Sequence, residues 1–293
     1  AEQAKITLRV ADSLSTNHFL SENVARFWMD EVAKRTGNAV EFQYFPAQQL
    51  GKAKDLLSLT QSGVTDIGYV APSVVTDKMP LSAVGELPLN FTTSCEGTAA
   101  SYELASNGIL AEQEFSPLGI KLLFSYAAPP FQILLRDKAI EGLNSFEGLK
   151  IRTSGQAKEY AIQKLGAVPV QIASPDVYEA LSRGTVDGLL FPFSSIPAYN
   201  FQELISSASV GANLGASVAT WVISEKKWES LPQQVQEVMI EVGKEAMQRG
   251  CEIAAEGEQS VAELLKDKGI QLKAVSYTLL TLPTIHSCDT AAV

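Results

Sequence analysis

The sequence predicts an α/β protein built of two units, and three observations lead to this fold class. Strand patterns and helix patterns alternate along most of the chain, which is typical of sheets covered by helices. No low-complexity linker separates the two series, so we expect strands that cross between the units and a cleft at their junction. A helical pattern of roughly 35 residues follows Pro232 and is too long for one small domain.

The first series begins with an alternating strand pattern and an amphipathic helix pattern. Residues 6–10 alternate apolar and polar side chains, and the apolar positions from Leu20 to Val32 have helical spacing. The same two patterns recur further along. They predict strands at 40–45, 66–70 and 120–124 and helices at 55–61 and 94–114.

The second series repeats this alternation. Gly166 ends one of its helices, and Pro175 lies just inside the start of the next. A strand at 219–224 then precedes the long helix, whose apolar face continues to Leu265. The remaining patterns of this series predict strands at 132–135, 150–152, 168–172 and 186–191 and helices at 157–165 and 174–184.

These patterns give the expected domain boundaries. Domain I comprises residues 1–125 and about 212–250, and domain II comprises residues 126–211 and about 251–275. The long helix at about 232–268 is shared between them. Residues 276–293 form an atypical tail without a clear period, and we exclude them from the functional interpretation.

Composition excludes several classes of partner. The 293 residues are 46% hydrophobic and carry a net charge of −10, which argues against nucleic acid and against an anionic membrane surface. The sequence contains no run of about 18 apolar residues, so it predicts no transmembrane helix. The cysteines Cys95, Cys251 and Cys288 contain no CxxC spacing, so zinc and dithiol chemistry are not predicted. Two alternatives remain for the cysteines: free thiols without a function, or a disulfide between two of the three.

Catalytic motifs are missing from the sequence. His18 and His286 are too far apart for a zinc-protease motif, and neither a nucleophile elbow nor a phosphate-binding glycine loop occurs. We therefore predict no catalytic residues, no metal, no cofactor and no enzyme activity.

Arg152 is the residue that most clearly suggests a function. It ends a short strand that lies between two turns, just before a helix begins. An arginine at such a position can present a rigid fork of donors to a carboxylate. The alternative is an arginine that is solvated or paired with a nearby acid.

Several motifs around Arg152 occur in one order at tight spacing. They are residues 48–51 (QQLG), 63–68 (GVTDIG), 148–152 (GLKIR), 165–169 (LGAVP), 176–181 (DVYEAL), 186–188 (VDG) and 227–232 (KWESLP). In combination they resemble the DctP-like solute-binding proteins of tripartite ATP-independent periplasmic (TRAP) transporters. The resemblance covers about residues 5–275.

This resemblance implies a periplasmic binding-protein fold of two domains that close on an organic acid, with Arg152 clamping the carboxylate. It also implies a periplasmic monomer that delivers its ligand to the membrane permease of a TRAP transporter. A chain that begins at Ala1 without methionine suits a mature product after removal of a signal peptide.

Departures from the family's pattern bear on the ligand. Phe191 stands where many relatives carry an asparagine, residues 130–132 lack the second arginine of sialic-acid-binding relatives, and residues 71–73 lack an expected acid. This reduced polar set favours a monocarboxylate with an apolar or aromatic body. Arg152 would hold the carboxylate, and Phe191 and Phe193 would pack on the body. Plain core packing of the two rings is the alternative.

Other candidate ligand contacts are aromatic side chains and polar side chains at loop starts. They are Tyr69, Tyr126, Phe131, Trp221, Ser174, Asn213, Asn17 and His18. The alternative ligand is a polyhydroxy or keto acid. The alternative functions are a sensory binding protein, a binding protein of an ATP-driven transporter and, least supported, an enzyme that uses the same cleft.

Overall fold

The computed structural model describes residues 5–275 and divides the chain into two compact units. The first unit comprises the chain up to Gly85, Ser94–Ala128 and Ser217–Ala254. The second comprises Glu86–Thr93, Pro129–Ala216 and the chain from Ala255 onwards. Residues 86–93, which the sequence analysis assigns to domain I, therefore belong to the second unit.

Strands and helices alternate throughout the described residues. The strands are β1 (Ile6–Ala11), β2 (Val40–Phe45), β3 (Ile67–Val70), β4 (Ile120–Ala127), β5 (Gln132–Leu135), β6 (Lys150–Thr153), β7 (Val168–Gln171), β8 (Gly188–Phe191), β9 (Ser207–Val210), β10 (Val218–Ser224) and β11 (Gln271–Ala274). The α-helices are α1 (Arg26–Arg35), α2 (Leu56–Gln61), α3 (Pro80–Val84), α4 (Ser94–Ser106), α5 (Gln156–Lys164), α6 (Val177–Ser182), α7 (Glu225–Glu229) and α8 (Gln233–Asp267).

Short helical turns connect many of these elements. The 3₁₀ turns are Ala53–Asp55, Pro72–Val74, Leu143–Phe146, Ser174–Asp176, Phe193–Ser195, Pro197–Tyr199 and Phe201–Glu203. The π-helical segments are Leu20–Ala25 and Ala111–Phe115.

The first unit is built on a five-stranded sheet in the order β2-β1-β3-β10-β4. Strand β1 is parallel to β2 and β3, whereas β10 is antiparallel to β3 and β4. Trp28 of α1 lies against the ring of Phe124 in β4 and donates its indole N–H to the carbonyl of Met239 in α8 at 2.9 Å. This side chain therefore joins two helices to one buried face of the sheet.

The second unit is built on a six-stranded sheet in the order β11-β9-β5-β8-β6-β7. Strand β6 lies between two parallel neighbours, β7 and β8, and β5 is antiparallel to β8 and β9. The core of this unit contains Leu134, Val177, Leu189 and Ile196, all of which are fully buried. Because β6, β7 and β8 run in one direction, their carboxyl ends meet at the same edge of the sheet.

The predicted α/β fold class is confirmed, and five elements differ from the sequence patterns. Strands β9 and β11 were not predicted, because each has only four residues and so offers only two apolar positions to mark an alternation. Helices α3 and α7, of five residues each, are too short to show a helical period and were not predicted either. The helix expected at 94–114 ends at Ser106, close to Gly108. A side chain at Gly108 would lie 2.8 Å from the Cα atom of Leu104, so the glycine permits this close turn.

The long helix α8 has 35 residues and keeps an apolar face along its length. Its residues up to Ala254 belong to the first unit, and those from Ala255 belong to the second. Within residues 5–275, neither this helix nor any other is long and apolar enough to cross a bilayer.

A disulfide joins Cys95, near the start of α4, to Cys251 of α8. The sequence alone did not decide whether two cysteines form a disulfide, and the structure identifies the pair. Both cysteines belong to the first unit and are 156 positions apart in the sequence. Cys288 lies outside the described residues.

Candidate ligand-binding site

The second unit places Arg152 at the carboxyl edge of its parallel strands. Arg152 pairs with Val170 of β7 on one side and with Leu189 of β8 on the other. Beyond β6 the chain turns at Gly155, whose φ of 87° suits glycine, and enters α5. The sequence pattern of turn, strand, turn and helix is therefore the local geometry that holds this arginine.

The guanidinium of Arg152 is hydrogen-bonded by strand β8 and by the segment that follows β7. Its Nε donates to the carbonyl of Ile172 at 2.8 Å, and its Nη2 donates to the hydroxyl of Ser174 at 3.0 Å. Its Nη1 donates to the carbonyl of Leu190 at 3.3 Å. A guanidinium has five N–H groups, so one on each terminal nitrogen has no acceptor among the described residues.

The positive charge of Arg152 is buried without a carboxylate partner in the described part of the chain. The residue is only 1% exposed, and its three acceptors are all neutral. Burial lowers the pKa of Arg152 to about 10, so the guanidinium stays charged at neutral pH. A buried cation of this kind would gain most from an anion supplied by a ligand.

Aromatic side chains cover one side of the guanidinium. The Cζ atom of Arg152 lies 5.5 Å from the ring centroid of Phe191, and that ring lies 6.2 Å from the ring of Phe131. Tyr199 and Phe201 contact Phe191 edge-on, at 5.6 and 5.0 Å. One buried cation therefore lies beside a cluster of buried aromatic rings, surroundings compatible with an acid that has an apolar body.

The sequence analysis missed a second buried cation. Lys158 of α5 is fully buried, and its Nζ lies 2.7 Å from Oε2 of Glu86 and 2.7 Å from the carbonyl oxygen of Ala216. A sequence signal for its burial was present. Ala161 and Ile162, three and four positions later, are also buried and share its face of the helix.

The remaining predicted contacts of the second unit have different surroundings. Phe193 lies with Phe191 in the hydrophobic core of the unit. The side-chain amide of Asn213 accepts from the N–H of Leu89 at 3.1 Å and donates to the carbonyl of Phe91 at 2.9 Å. Its two described hydrogen bonds thus hold the segment 86–93, and neither of them involves Arg152.

In the first unit, two of the predicted aromatic contacts lie together. Tyr69 of β3 and Trp221 of β10 pack edge-on at 5.1 Å, and Trp221 stacks on Phe124 at 4.7 Å. The indole N–H of Trp221 is buried and has no acceptor among the described residues. Tyr126 of β4 is also buried. That these three residues contact the ligand remains a prediction.

The two predicted polar residues of the first unit differ in exposure. Asn17 is exposed and accepts a hydrogen bond from the hydroxyl of Ser15. His18 is buried, stacks on Phe19 at 4.9 Å and accepts from the N–H of Leu20 at 3.1 Å. Burial lowers the pKa of His18 to about 4, so its imidazole is neutral at neutral pH.

Residues 5–275 contain no cluster of three histidine, cysteine or acidic side chains that could hold a metal ion.

A buried carboxylate that the sequence analysis did not predict follows β1. Asp12 accepts from the hydroxyl of Tyr44 at 2.9 Å and from the N–H of Leu14 at 2.7 Å. Burial raises the pKa of Asp12 to about 6 despite these donors.

Comparison with known proteins decides the family. The sequence model of the DctP family, described as bacterial extracellular solute-binding protein, family 7, matches residues 10–280. The chain belongs to this family. The resemblance deduced from the motifs is thereby confirmed, including the type of protein that it indicated.

Solved structures of other solute-binding proteins share the fold. A TRAP solute-binding protein from Rhodoferax ferrireducens T118, in complex with copurified benzoate, is 23% identical with a TM-score of 0.87, and the match covers 97% of this chain and 89% of the other. A TRAP periplasmic solute-binding protein from Bordetella bronchiseptica, with bound (R)- and (S)-mandelate, is 21% identical with a TM-score of 0.87, and the match covers 97% and 90%.

A curated relative carries a more specific name. The C4-dicarboxylate-binding periplasmic protein DctP from Rhodobacter capsulatus is 28% identical over 246 residues. The match covers 82% of this chain and 72% of the relative. Relatives of this solute-binding protein thus include one named for an acid with two carboxylates.

A second titrating carboxylate supports the turn that follows β8. Glu258 of α8 accepts a hydrogen bond from the N–H of Ser194 at 2.8 Å. Burial raises the pKa of Glu258 from 4.5 to about 7, and the hydrogen bond opposes this rise only in part. Because the folded-state pKa is the higher one, the stability that this group contributes is complete below pH 4.5 and is lost as the pH rises through 7.

We expect Glu258→Gln to remove this pH dependence. Relative to the wild type, the unfolding free energy of the variant should rise by about 2 kcal/mol between pH 5 and pH 8, because the amide never becomes charged. Urea unfolding at both pH values measures this difference. Glu256→Gln, at an exposed position of the same helix, is the control and should show no such rise. An equal pH dependence in both variants would contradict the assignment.

Proposed function

We propose that this solute-binding protein captures a small monocarboxylate with an apolar or aromatic body and delivers it to the permease of a TRAP transporter. The observation that carries the proposal is the buried guanidinium of Arg152. All three of its described acceptors are neutral, and one N–H on each terminal nitrogen is available. Two parallel N–H donors are the arrangement that binds a carboxylate in a bidentate manner.

The surroundings of Arg152 support an apolar ligand body. Phe191 lies against the guanidinium, and Phe131 lies beside Phe191. The only other buried cation described in the second unit, Lys158, is paired with Glu86. One cation remains to attract one carboxylate, and its described neighbours are the ring of Phe191 and the hydroxyl of Ser174.

The ligands of the structural relatives are compatible with this proposal. Benzoate and mandelate, bound to the Rhodoferax and Bordetella proteins, are aromatic acids with one carboxylate. The Rhodobacter relative named for C4-dicarboxylates defines the contrasting class. We propose the first class for this chain.

The periplasm is the proposed location. The family is described as extracellular, and the bridge between Cys95 and Cys251 is of the kind that persists in oxidising compartments. We propose that the acid is released unchanged. The hydroxyl of Ser174 accepts from Arg152, and Glu86 is paired with Lys158.

A calorimetric and thermal-shift screen tests the ligand class. Benzoate and mandelate should bind at least tenfold more tightly than gluconate or succinate, because the latter would place hydroxyls or a second charge against the rings. A ligand at 100 times its Kd stabilises the protein by about 2.7 kcal/mol, which thermal unfolding detects. Binding of gluconate without any binding of aromatic acids would contradict the proposal.

Delivery to a permease requires a separate test. Cells that express the subunits of a TRAP permease for this ligand should take up the labelled acid only when the binding protein is present. Uptake that does not depend on it, together with tight ligand binding, would favour the sensory alternative.

A further inference from the structure

A fully buried ion pair lies close to the candidate carboxylate site. Lys158 and Glu86 are 0% and 1% exposed, and Nζ and Oε2 are 2.7 Å apart. Nζ also contacts the carbonyl oxygen of Ala216 at 2.7 Å. Burial of two charged groups is costly, and the mutual attraction offsets that cost only when both partners are present. Because stability alone does not explain why this buried pair is present, we ask what function the pair could have.

Two aromatic rings connect this pair to Arg152. Nζ of Lys158 lies 5.3 Å from the ring centroid of Phe131, which is 6.2 Å from the ring of Phe191. Phe191 in turn lies 5.5 Å from the Cζ atom of Arg152. The two cations thus contact neighbouring rings. Burial lowers the pKa of Lys158, the carboxylate of Glu86 raises it, and the charge of Arg152 lowers it.

The geometry points to Glu86 as the residue that sets the charge of the accepted ligand. Arg152, Lys158 and Glu86 together carry one net positive charge. Glu86 neutralises the charge of Lys158, which could otherwise attract a second carboxylate. We infer that the site selects monocarboxylates over dicarboxylates through this internal counter-ion. The inference rests on the proposed function, in which Arg152 binds a carboxylate.

Neutralising Glu86 should shift this selectivity. Glu86→Gln leaves Lys158 with an amide, and the three positions then carry two net positive charges. A charge added within about 10 Å of a ligand carboxylate, at an effective dielectric constant of about 20, changes affinity by about tenfold. The ratio of isophthalate to benzoate affinity should therefore rise about tenfold. These two acids share a ring and differ in the second carboxylate.

Two further variants separate charge from structure. In the double variant Glu86→Gln/Lys158→Met the net charge returns to one, and the ratio should fall back towards that of the wild type. Glu179→Gln is the matched control, because it removes one carboxylate of the exposed pair Arg183–Glu179 in the same unit. It should leave the ratio unchanged, since exposed charges are screened by solvent.

Titration calorimetry at neutral and at mildly acidic pH, the latter favouring the charged ammonium, gives the four ratios, and thermal unfolding verifies that each variant is folded. An unchanged ratio in folded Glu86→Gln, with benzoate still bound through Arg152, would overturn the inference alone. Should the single variant fail to fold, a preference of the double variant for isophthalate would overturn it. Absence of benzoate binding by the wild type, or its persistence in Arg152→Met, would instead overturn the proposed function.

Discussion

Replacing Arg152 by methionine is expected to abolish tight carboxylate binding and to leave the fold in place. Methionine fills a similar volume without a charge or donors. Truncation of one partner of a buried, hydrogen-bonded charge pair costs about 2–5 kcal/mol, or roughly 30-fold to several thousand-fold in Kd. Calorimetry with benzoate measures the loss, and circular dichroism verifies the fold.

Two other arginine variants sharpen this result. Arg152→Lys keeps the charge but loses the planar fork, so we expect an intermediate loss of affinity. Arg183→Met, at an exposed position of α6's carboxyl end, changes the net charge by the same amount and should bind benzoate like the wild type. If Arg152→Met bound benzoate as tightly as the control, the guanidinium would not be the anchor.

The sequence predicted the position of Arg152 because local patterns determine it. A glycine turn, a short strand and a helix start lie within a few residues, and each is a property of neighbouring residues. No local sequence pattern indicated which groups would accept the hydrogen bonds of the guanidinium. Two of them are backbone carbonyls, that of Leu190 in β8 and that of Ile172, the residue directly after β7. Only the order of the strands in the sheet brings them to Arg152.

The pair of Lys158 and Glu86 shows the same limit for side chains. The two residues are 72 positions apart, and Glu86 lies in a segment that the sequence analysis assigned to the other domain. Lysine and glutamate are seldom fully buried, so their types argue against burial unless a partner is known. Glu258 and Asp12 were missed for the same reason, since their burial depends on tertiary contacts.

Removal of the disulfide is expected to have the largest effect on stability. The bridge closes a loop between residues 156 positions apart, and a loop of this length corresponds to about 5 kcal/mol in the chain-entropy model. Measured losses for native disulfides are about 2–5 kcal/mol. We therefore expect Cys95→Ala/Cys251→Ala to lower the unfolding free energy by about 3–5 kcal/mol in urea unfolding.

A reductant provides the internal control for this prediction. Reduction of the wild type should lower its unfolding free energy to near that of the double alanine variant, and it should not affect the variant further. Because both cysteines belong to the first unit and Arg152 belongs to the second, the folded variant should still bind benzoate through Arg152. A variant as stable as the oxidised wild type would mean that the bridge adds no net stability. Loss of benzoate binding in the folded variant would mean that ligand capture depends on how the bridge fixes α4 to α8.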